Sequence, residues 1–215
     1  MMEHRMPKTG PFDTYSDEYD EWFDRHDDLY RAELGAVREL LPPPGAEGLE
    51  VGVGTGRFAA LLGIRTGVEP SQRMAGRAAA LGIDVHQGTA ERLPFGDGSF
   101  DFILMVTTVC FLDDVARSFA EARRVLRYGG CIIVGFIDRE SELGKRYDES
   151  RETSRFYGDA VFLSAAEVTR LLEEAGFAIA GIRQTLLEGD QSVAILDGCG
   201  KGAFVVIRGD TPGAQ

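Results

Sequence analysis

The run Glu50-Val51-Gly52-Val53-Gly54-Thr55-Gly56 has the residue types and spacing that most directly suggest chemistry. It follows a short apolar stretch, Leu49–Val53, and places a glycine at every second position. Without a Cβ, such a turn lets a ligand come close to the backbone. A helix beginning just after it presents unpaired N–H groups to an anion. Dinucleotide enzymes share a glycine-rich strand–turn–helix, but with the spacing Gly-x-Gly-x-x-Gly. Here the spacing is Gly-x-Gly-x-Gly, and an acid stands two residues before the first glycine. A second acid, Glu69, ends the next predicted strand, where a carboxylate can accept both hydroxyls of a ribose. Alone, Glu69 fits a nicotinamide nucleotide or a solvated strand end equally well. With the glycine turn it predicts a nucleoside-containing ligand.

Two further groups of residues are candidates. Phe12, Tyr15, Tyr19, Trp22, Phe23 and His26 recur at three- and four-residue spacing, which on a helix makes one aromatic face. Asp13, Asp17, Glu18, Asp20, Glu21 and Asp24 occupy the rest. This segment is either an amphipathic helix packed on its own core or a lid over the ligand, where aromatic faces attract a cation by about 0.5–2 kcal/mol. His26 and Tyr19 are its candidate catalytic groups, since a histidine is the usual general base. The second group follows the fifth predicted strand: Asp138, Arg139, Tyr147, Arg155, Phe156 and Tyr157. Loops at that sheet edge line ligand pockets, and the alternative is an ordinary surface helix over 142–152.

The elements that must position these residues alternate. Strands are predicted at 49–53, 64–68, 83–86, 100–106 and 131–137, with helices after the glycine turn, from Ser71 to about Leu81, and over 113–127. Phe100–Val106 is apolar at nearly every position, as a strand covered on both faces should be. Ser164-Ala165-Ala166-Glu167 is a capping box that opens one more helix. Two final strands, 179–187 and 203–208, form an antiparallel pair around the loop 188–202. The fold class is therefore α/β: a Rossmann-like, doubly wound, mostly parallel sheet of seven strands, the last antiparallel, with helices on both faces. Residues 1–11 read as a flexible arm, 12–210 as a single domain whose helical segment 12–41 is the candidate lid, broken near His26–Asp28, and 211–215 as a tail.

Five stretches occur in order: the glycine turn, Gly67-Val68-Glu69-Pro70-Ser71, Gly88-Thr89-Ala90-Glu91-Arg92-Leu93-Pro94-Phe95, Ser99-Phe100-Asp101 and Arg124-Val125-Leu126-Arg127-Tyr128-Gly129-Gly130. This set resembles the class I S-adenosylmethionine-dependent methyltransferases, most nearly the small-molecule branch that includes ubiquinone and menaquinone biosynthesis enzymes. The resemblance implies roles. Gly52, Gly54 and Gly56 would border the methionine part of S-adenosylmethionine, and Glu50 its ammonium side. Glu69 would bind the ribose, and Pro70 and Met74 would flank the adenine, whose edge meets Thr89, Ala90 and Glu91. Val106 and Thr107 would lie beside the sulfonium, under Tyr15, Tyr19 and Trp22. Cys110, Phe111, Asp138, Arg139, Tyr147, Phe156 and Tyr157 would form the acceptor pocket. Two departures matter. Relatives often carry Asp where Thr89 stands, so the Thr89 hydroxyl or the Glu91 carboxylate would substitute. Many also carry a His pair where this chain has Cys110-Phe111, which removes one means of assigning the acceptor. The segment after the fifth strand is similar to that of methyltransferases likened to histamine-type amine methylators, but it does not by itself assign the acceptor.

Composition limits the partners. Hydrophobic residues make up 44% and charged residues 27% of 215 residues, enough for a core that needs no metal or disulfide. The formal net charge of −12 argues against a broad nucleic-acid surface. So does Met105-Val106-Thr107-Thr108, which lacks the Asn/Asp-Pro-Pro-aromatic motif of enzymes that methylate nucleobase amines. Nine acids and two basic residues fall between Asp13 and Glu33, so much of the charge excess lies on the candidate lid. Cys110, Cys131 and Cys199 form no metal-binding spacing, and odd, scattered thiols fit a reducing cytosol. No run of about 18 apolar residues predicts a membrane span. The expectation is a cytoplasmic small-molecule methyltransferase, monomeric or homodimeric. A non-catalytic S-adenosylmethionine-binding module and a nicotinamide-dependent oxidoreductase remain the alternatives.

Overall fold

The computed structural model describes residues 8–187 and 193–213. Eight strands form one sheet: β1 (Gly48–Val51), β2 (Thr66–Val68), β3 (Asp84–His86), β4 (Phe100–Val106), β5 (Leu126–Ile137), β6 (Ala178–Leu187), β7 (Leu196–Asp197) and β8 (Gly202–Asp210). Their order is β3-β2-β1-β4-β5-β8-β6-β7. The first five are mutually parallel, and β8 runs antiparallel to both β5 and β6. The strand beyond the expected seven is β7, which pairs Leu196 and Asp197 with Gln184 and Arg183. Two residues are too short for a period-two signature. The buried Gln184 amide organises this turn, donating to the Asp197 carbonyl and accepting the N–H groups of Lys201 and Gly202.

Alternation along β4 explains the layers. Ile103 and Met105 pack on one face with Phe119, Val168 and Leu172. These come from α6 (Val115–Val125) and α8 (Ala165–Glu174). Phe102, Leu104 and Val106 pack on the other with Leu34, Val37 and Phe58. These come from α3 (Asp27–Arg38) and α4 (Arg57–Leu62). The remaining helices are α1 (Gly10–Thr14), α2 (Ser16–Arg25), α5 (Gln72–Ala80) and α7 (Glu142–Glu149). Both faces are covered, as the continuous apolar run of β4 requires. The capping box at Ser164 forms as expected, and Ser71 and Asp114 cap α5 and α6.

The N-terminal segment differs from one long helix. It breaks at Tyr15 as well as at His26. Asp27 and Asp28 sit in the first turn of α3, where its dipole favours negative charge. Within the expected arm, residues 1–7 lie outside the described residues, but 8–11 are packed. Lys8 Nζ stands 3.5 Å from Asp113, and Pro11 opens α1. The expected surface helix 142–152 ends at Glu149, and a short 310 turn covers Arg151–Thr153. The expected loop 188–202 falls partly outside the described residues. So does the tail at 214–215, whereas Thr211 is tied to the Gly130 carbonyl.

Candidate active site

Strand order reverses at β1, with β2 on one side and β4 on the other. Ligands of open α/β sheets bind outside the carboxyl ends of the strands at such a point. A cavity of about 890 Å3 lies here, walled by the ends of β1, β2 and β4. Its floor is the glycine turn. Gly52, Gly54 and Gly56 have φ of +71°, +55° and +86°. A Cβ on Gly52 would meet the Thr108 side chain at 2.6 Å, and one on Gly56 would meet Ile83 Cδ1 at 2.6 Å. A Cβ on Gly54 would meet only Tyr19 Oη at 3.8 Å and Met74 Cε at 3.9 Å. That Cβ would project into the cavity. Gly56 lies outside the wall, and its lack of a side chain lets α4 pack against Ile83 and Ala78.

Glu69 is buried and lines the cavity. Its Oε2 accepts the Gly54 N–H and its Oε1 the Ser71 N–H, both at 2.9 Å. Burial pushes the carboxyl up, and these two donors draw it back. A carboxylate offers about four lone-pair sites, so each oxygen can take one more donor. Glu50 is 2% exposed and stands behind the wall rather than in it. Its Oε2 has no hydrogen-bond partner, and burial holds the carboxyl well above the usual range. Leaving a buried acceptor unpaired costs about 1–3 kcal/mol, which a donor arriving from the cavity would offset.

Pro70, Met74, Thr89, Ala90 and Glu91 also line the wall. A bridge between Thr89 and Arg92 shapes that turn. Glu91 Oε1 accepts the N–H groups of Asp113 and Asp114, and the Glu91 carbonyl accepts from Arg117. Glu91 thus fastens the loop before α6, and the Thr89 hydroxyl is the less committed of the two substitutes. Val106 and Thr107 end β4 in the wall. Thr107 has φ +51° and Leu186, also in the wall, φ +57°. Left-handed backbone at such residues is sparsely populated and concentrates at functional sites.

The roof is aromatic. Phe12, Tyr19, Trp22 and Phe23 come from α1 and α2, Phe111 from the turn after β4, Tyr147 from α7, and Phe156 and Tyr157 from the loop beyond. Phe12 meets Phe111 with ring centroids 5.1 Å apart, and Tyr147 stacks on Tyr157 at 5.1 Å. Burial and the nearby acids Glu69, Glu50 and Asp20 raise the Tyr19 phenol, so it remains a hydrogen-bond donor. Tyr15 is outside the wall, packed on Phe156 under the Arg155 guanidinium. His26 is exposed at the rim, stacked on Trp22 at 4.7 Å, and its Nδ1–H donates to the Trp22 carbonyl.

The acids of α1 and α2 do not form a free outer face. Asp20 accepts from Thr55, Arg57 and Arg77, Asp24 from Arg57, and Asp17 from Arg73 and Arg77. Asp13 accepts from Ser71, and Glu18 from Arg155. Asp13, Asp17, Asp20 and Asp24 fasten α1 and α2 to α4 and α5, and Glu18 ties α2 to the loop beyond α7.

Three residues expected in the acceptor pocket are structural. Cys110 is buried beside Ala160 and Phe162, and burial pushes its thiol to about 12. Asp138 accepts the N–H groups of Glu140 and Ala165. Arg139 pairs with Glu167 and donates to the Phe162 carbonyl. Sequence reasoning missed Glu33. This residue is 4% exposed, lies in the cavity wall, and burial pushes its carboxyl to about 8. The available signal was its position four residues from both Leu29 and Val37, on the apolar side of α3.

A parallel sheet with a glycine turn, a strand-end acid and a roofed cavity at its switch point defines an enzyme of the nucleoside-cofactor class. A family model described as a methyltransferase domain matches residues 49–134. A Thermotoga maritima protein of known structure, described as a SAM-dependent methyltransferase, possible histamine N-methyltransferase, is 48% identical. The match covers 94% of this chain and 99% of that one, with a TM-score of 0.90. An uncharacterised Methanocaldococcus jannaschii protein is 44% identical over 202 residues, 93% of this chain and 98% of that one. A ubiquinone/menaquinone biosynthesis C-methyltransferase of Stenotrophomonas maltophilia is 36% identical over 102 residues, 40% of each chain.

The chain belongs to the class I S-adenosylmethionine-dependent methyltransferases, and S-adenosylmethionine is its cofactor. The residues present fit that group. The open space beside Gly54, the unpaired Glu50 oxygen and the free lone pairs of Glu69 leave room and polar partners for a ligand with a carboxylate, an ammonium and ribose hydroxyls.

Proposed function

We propose that the protein transfers a methyl group from S-adenosylmethionine to a small-molecule acceptor by in-line displacement, in a single domain whose segment 12–41 serves as the lid. The observation that carries this reading is the aromatic roof, where rings from α1, α2, α7 and two loops meet over the cavity. A cavity of about 890 Å3 is within the range of small-molecule sites, about 300–1,000 Å3. A roofed cavity of this size favours a compact acceptor over a polymer.

When bound, S-adenosylmethionine supplies a methyl group made electrophilic by its positive sulfur. The chain's own residues position, enclose and shield. In this reading Gly52 and Gly54 border the methionine carboxylate, and Glu50 answers the ammonium directly or through water. Glu69 takes the ribose hydroxyls, and Pro70 and Met74 flank the adenine beside Thr89 and Ala90. Val106 and Thr107 lie at the sulfonium, where Tyr19 and Trp22 add aromatic faces. Phe111, Tyr147, Phe156 and Tyr157 enclose the acceptor. Holding the two reactants in a near-attack geometry supplies about 7–11 kcal/mol in well-oriented cases. His26 serves to close the rim, since its exposed ring is spent on stacking and on the Trp22 carbonyl. The free thiols of Cys110 and Cys131, buried in the core, support a reducing compartment such as the cytoplasm.

Calorimetry with S-adenosylmethionine, S-adenosylhomocysteine and NAD tests the site. The expected result is binding of the first two and not of NAD. Binding of NAD alone would overturn the assignment.

A further inference from the structure

Glu33 is the one strongly buried acid of the cavity wall for which the proposed cofactor reading has no use. Glu69 is committed to the ribose and Glu50 to the ammonium side, and both lie near the glycine turn. Glu33 instead projects from α3, on the same helical side as Leu29. Its charge is felt by the phenols of Tyr19, Tyr147 and Tyr157, which belong to the roof and to the acceptor end.

Burial pushes its carboxyl up, and among the described residues no Lys or Arg pairs with it. None of the basic residues of the wall pairs with Glu33. Lys8 pairs with Asp113, Arg25 with Glu21, and Arg117 donates to the Glu91 carbonyl, while Arg92 sits at the Thr89 turn on the adenine side and makes no pair with Glu33. A buried carboxyl without a cation, among aromatic rings that attract cations, lacks a positive partner.

We propose that Glu33 is a specificity-determining residue that receives a protonated nitrogen of the acceptor, so that the acceptor is a small amine-bearing molecule. The inference rests on the methyltransferase reading of the same cavity. Tyr147 and Tyr157 line the same cavity as Glu33, where aromatic faces attract a cation and exclude the water that would screen the pair.

Binding is linked to protons. The ionisable groups facing Glu33 are Tyr19 on α2, Tyr30 on its own helix, Tyr147 on α7 and Tyr157 beyond it, all phenols that burial raises further. His26 stands at the rim of the same cavity, and Glu69 lines its far side at the glycine turn. None of the four phenols titrates near neutrality. With its carboxyl near 8, Glu33 is protonated at pH 7 in the free protein. An arriving ammonium lowers that value, so about one proton is released per amine bound, and affinity rises with pH up to about 8.

The test uses the protein saturated with S-adenosylhomocysteine. It is titrated calorimetrically at pH 7 with 2-phenylethylamine and, separately, with 2-phenylethanol, in phosphate and in Tris to count protons. The expected result is amine binding at least tenfold tighter than alcohol binding, with proton release. Glu33→Gln should lose the preference and the release while retaining parental affinity for S-adenosylhomocysteine, which also shows that it folds. Equal affinity for the two probes, absence of amine binding, or a preference that survives in Glu33→Gln would overturn the proposal. Failure of S-adenosylhomocysteine to bind the parent protein would instead contradict the cofactor site on which it rests.

Discussion

A carboxyl group enclosed without a cation carries a cost that pH exposes. Glu33 has an ordinary value of 4.5 in the open chain and one near 8 in the fold. Between those values the folded protein holds a proton that the unfolded chain has lost. This contribution to stability is complete below about pH 4.5, declines as pH rises through the interval, and is flat above about 8. Glu33→Gln should remove this part of the slope, worth on the order of 3 kcal/mol by pH 7. Urea midpoints measured from pH 5 to 8 check it, and parallel curves for parent and variant would refute it. Gly54→Val acts on the floor: its side chain would enter the cavity, and its φ of +55° is costly for any L-residue. Affinity for S-adenosylhomocysteine should fall by more than about tenfold, while destabilisation stays near 1–3 kcal/mol. Gly54, Glu69 and Met74 were legible because the turn and strand ends that place them are local in sequence. Glu33 was not, because apolar periodicity identifies the buried side of a helix but does not flag an acid on it. Gly56, Tyr15, Cys110, Asp138 and Arg139 show the converse: being next to a site along the chain does not make a side chain face it.

At the scale of elements, the N-terminal helices α1 and α2, the proposed lid, are held by charge. Asp20 joins Thr55, Arg57 and Arg77, and its side chain is 21% exposed. Charge-assisted hydrogen bonds contribute about 1.5–3 kcal/mol, less where solvent screens them. Asp20→Ala should therefore loosen α1 and α2 without unfolding the sheet. Hydrogen exchange should accelerate across 10–26 and remain unchanged in β4 and β5, and cofactor affinity should drop several-fold. Uniform exchange across the whole protein would count against a separable lid. Ser164→Ala removes the capping box of α8 and should cost about 1 kcal/mol, read as a lower unfolding midpoint with unaltered cofactor binding. Elements with a strong local pattern were legible, β4 to the residue. The break at Tyr15 was not, because the three- and four-residue spacing of the aromatics runs through it. The two-residue β7 was not, because pairing to β6 rather than its own sequence makes it a strand.

Across the whole molecule, the acidity is organised rather than spread. The charge of −12 is concentrated at the N-terminal segment, and there Asp17, Asp20 and Asp24 meet Arg57, Arg73 and Arg77. Net charge predicts solubility and partners but cannot show that a local excess is matched by a local deficit across the fold. Two buried acids, Glu33 and Glu69, line the cavity itself. Among the described residues no helix is long and apolar enough to cross a membrane. The measurement closest to the central claim is transfer of labelled methyl from S-adenosylmethionine, with the protein mixed into a metabolite extract that also contains protein and nucleic acid. Label is expected in the acid-soluble small-molecule fraction, enriched in amines, with the parent protein and not with Gly54→Val. Label confined to the precipitated polymer, or no transfer by the parent protein, would contradict it.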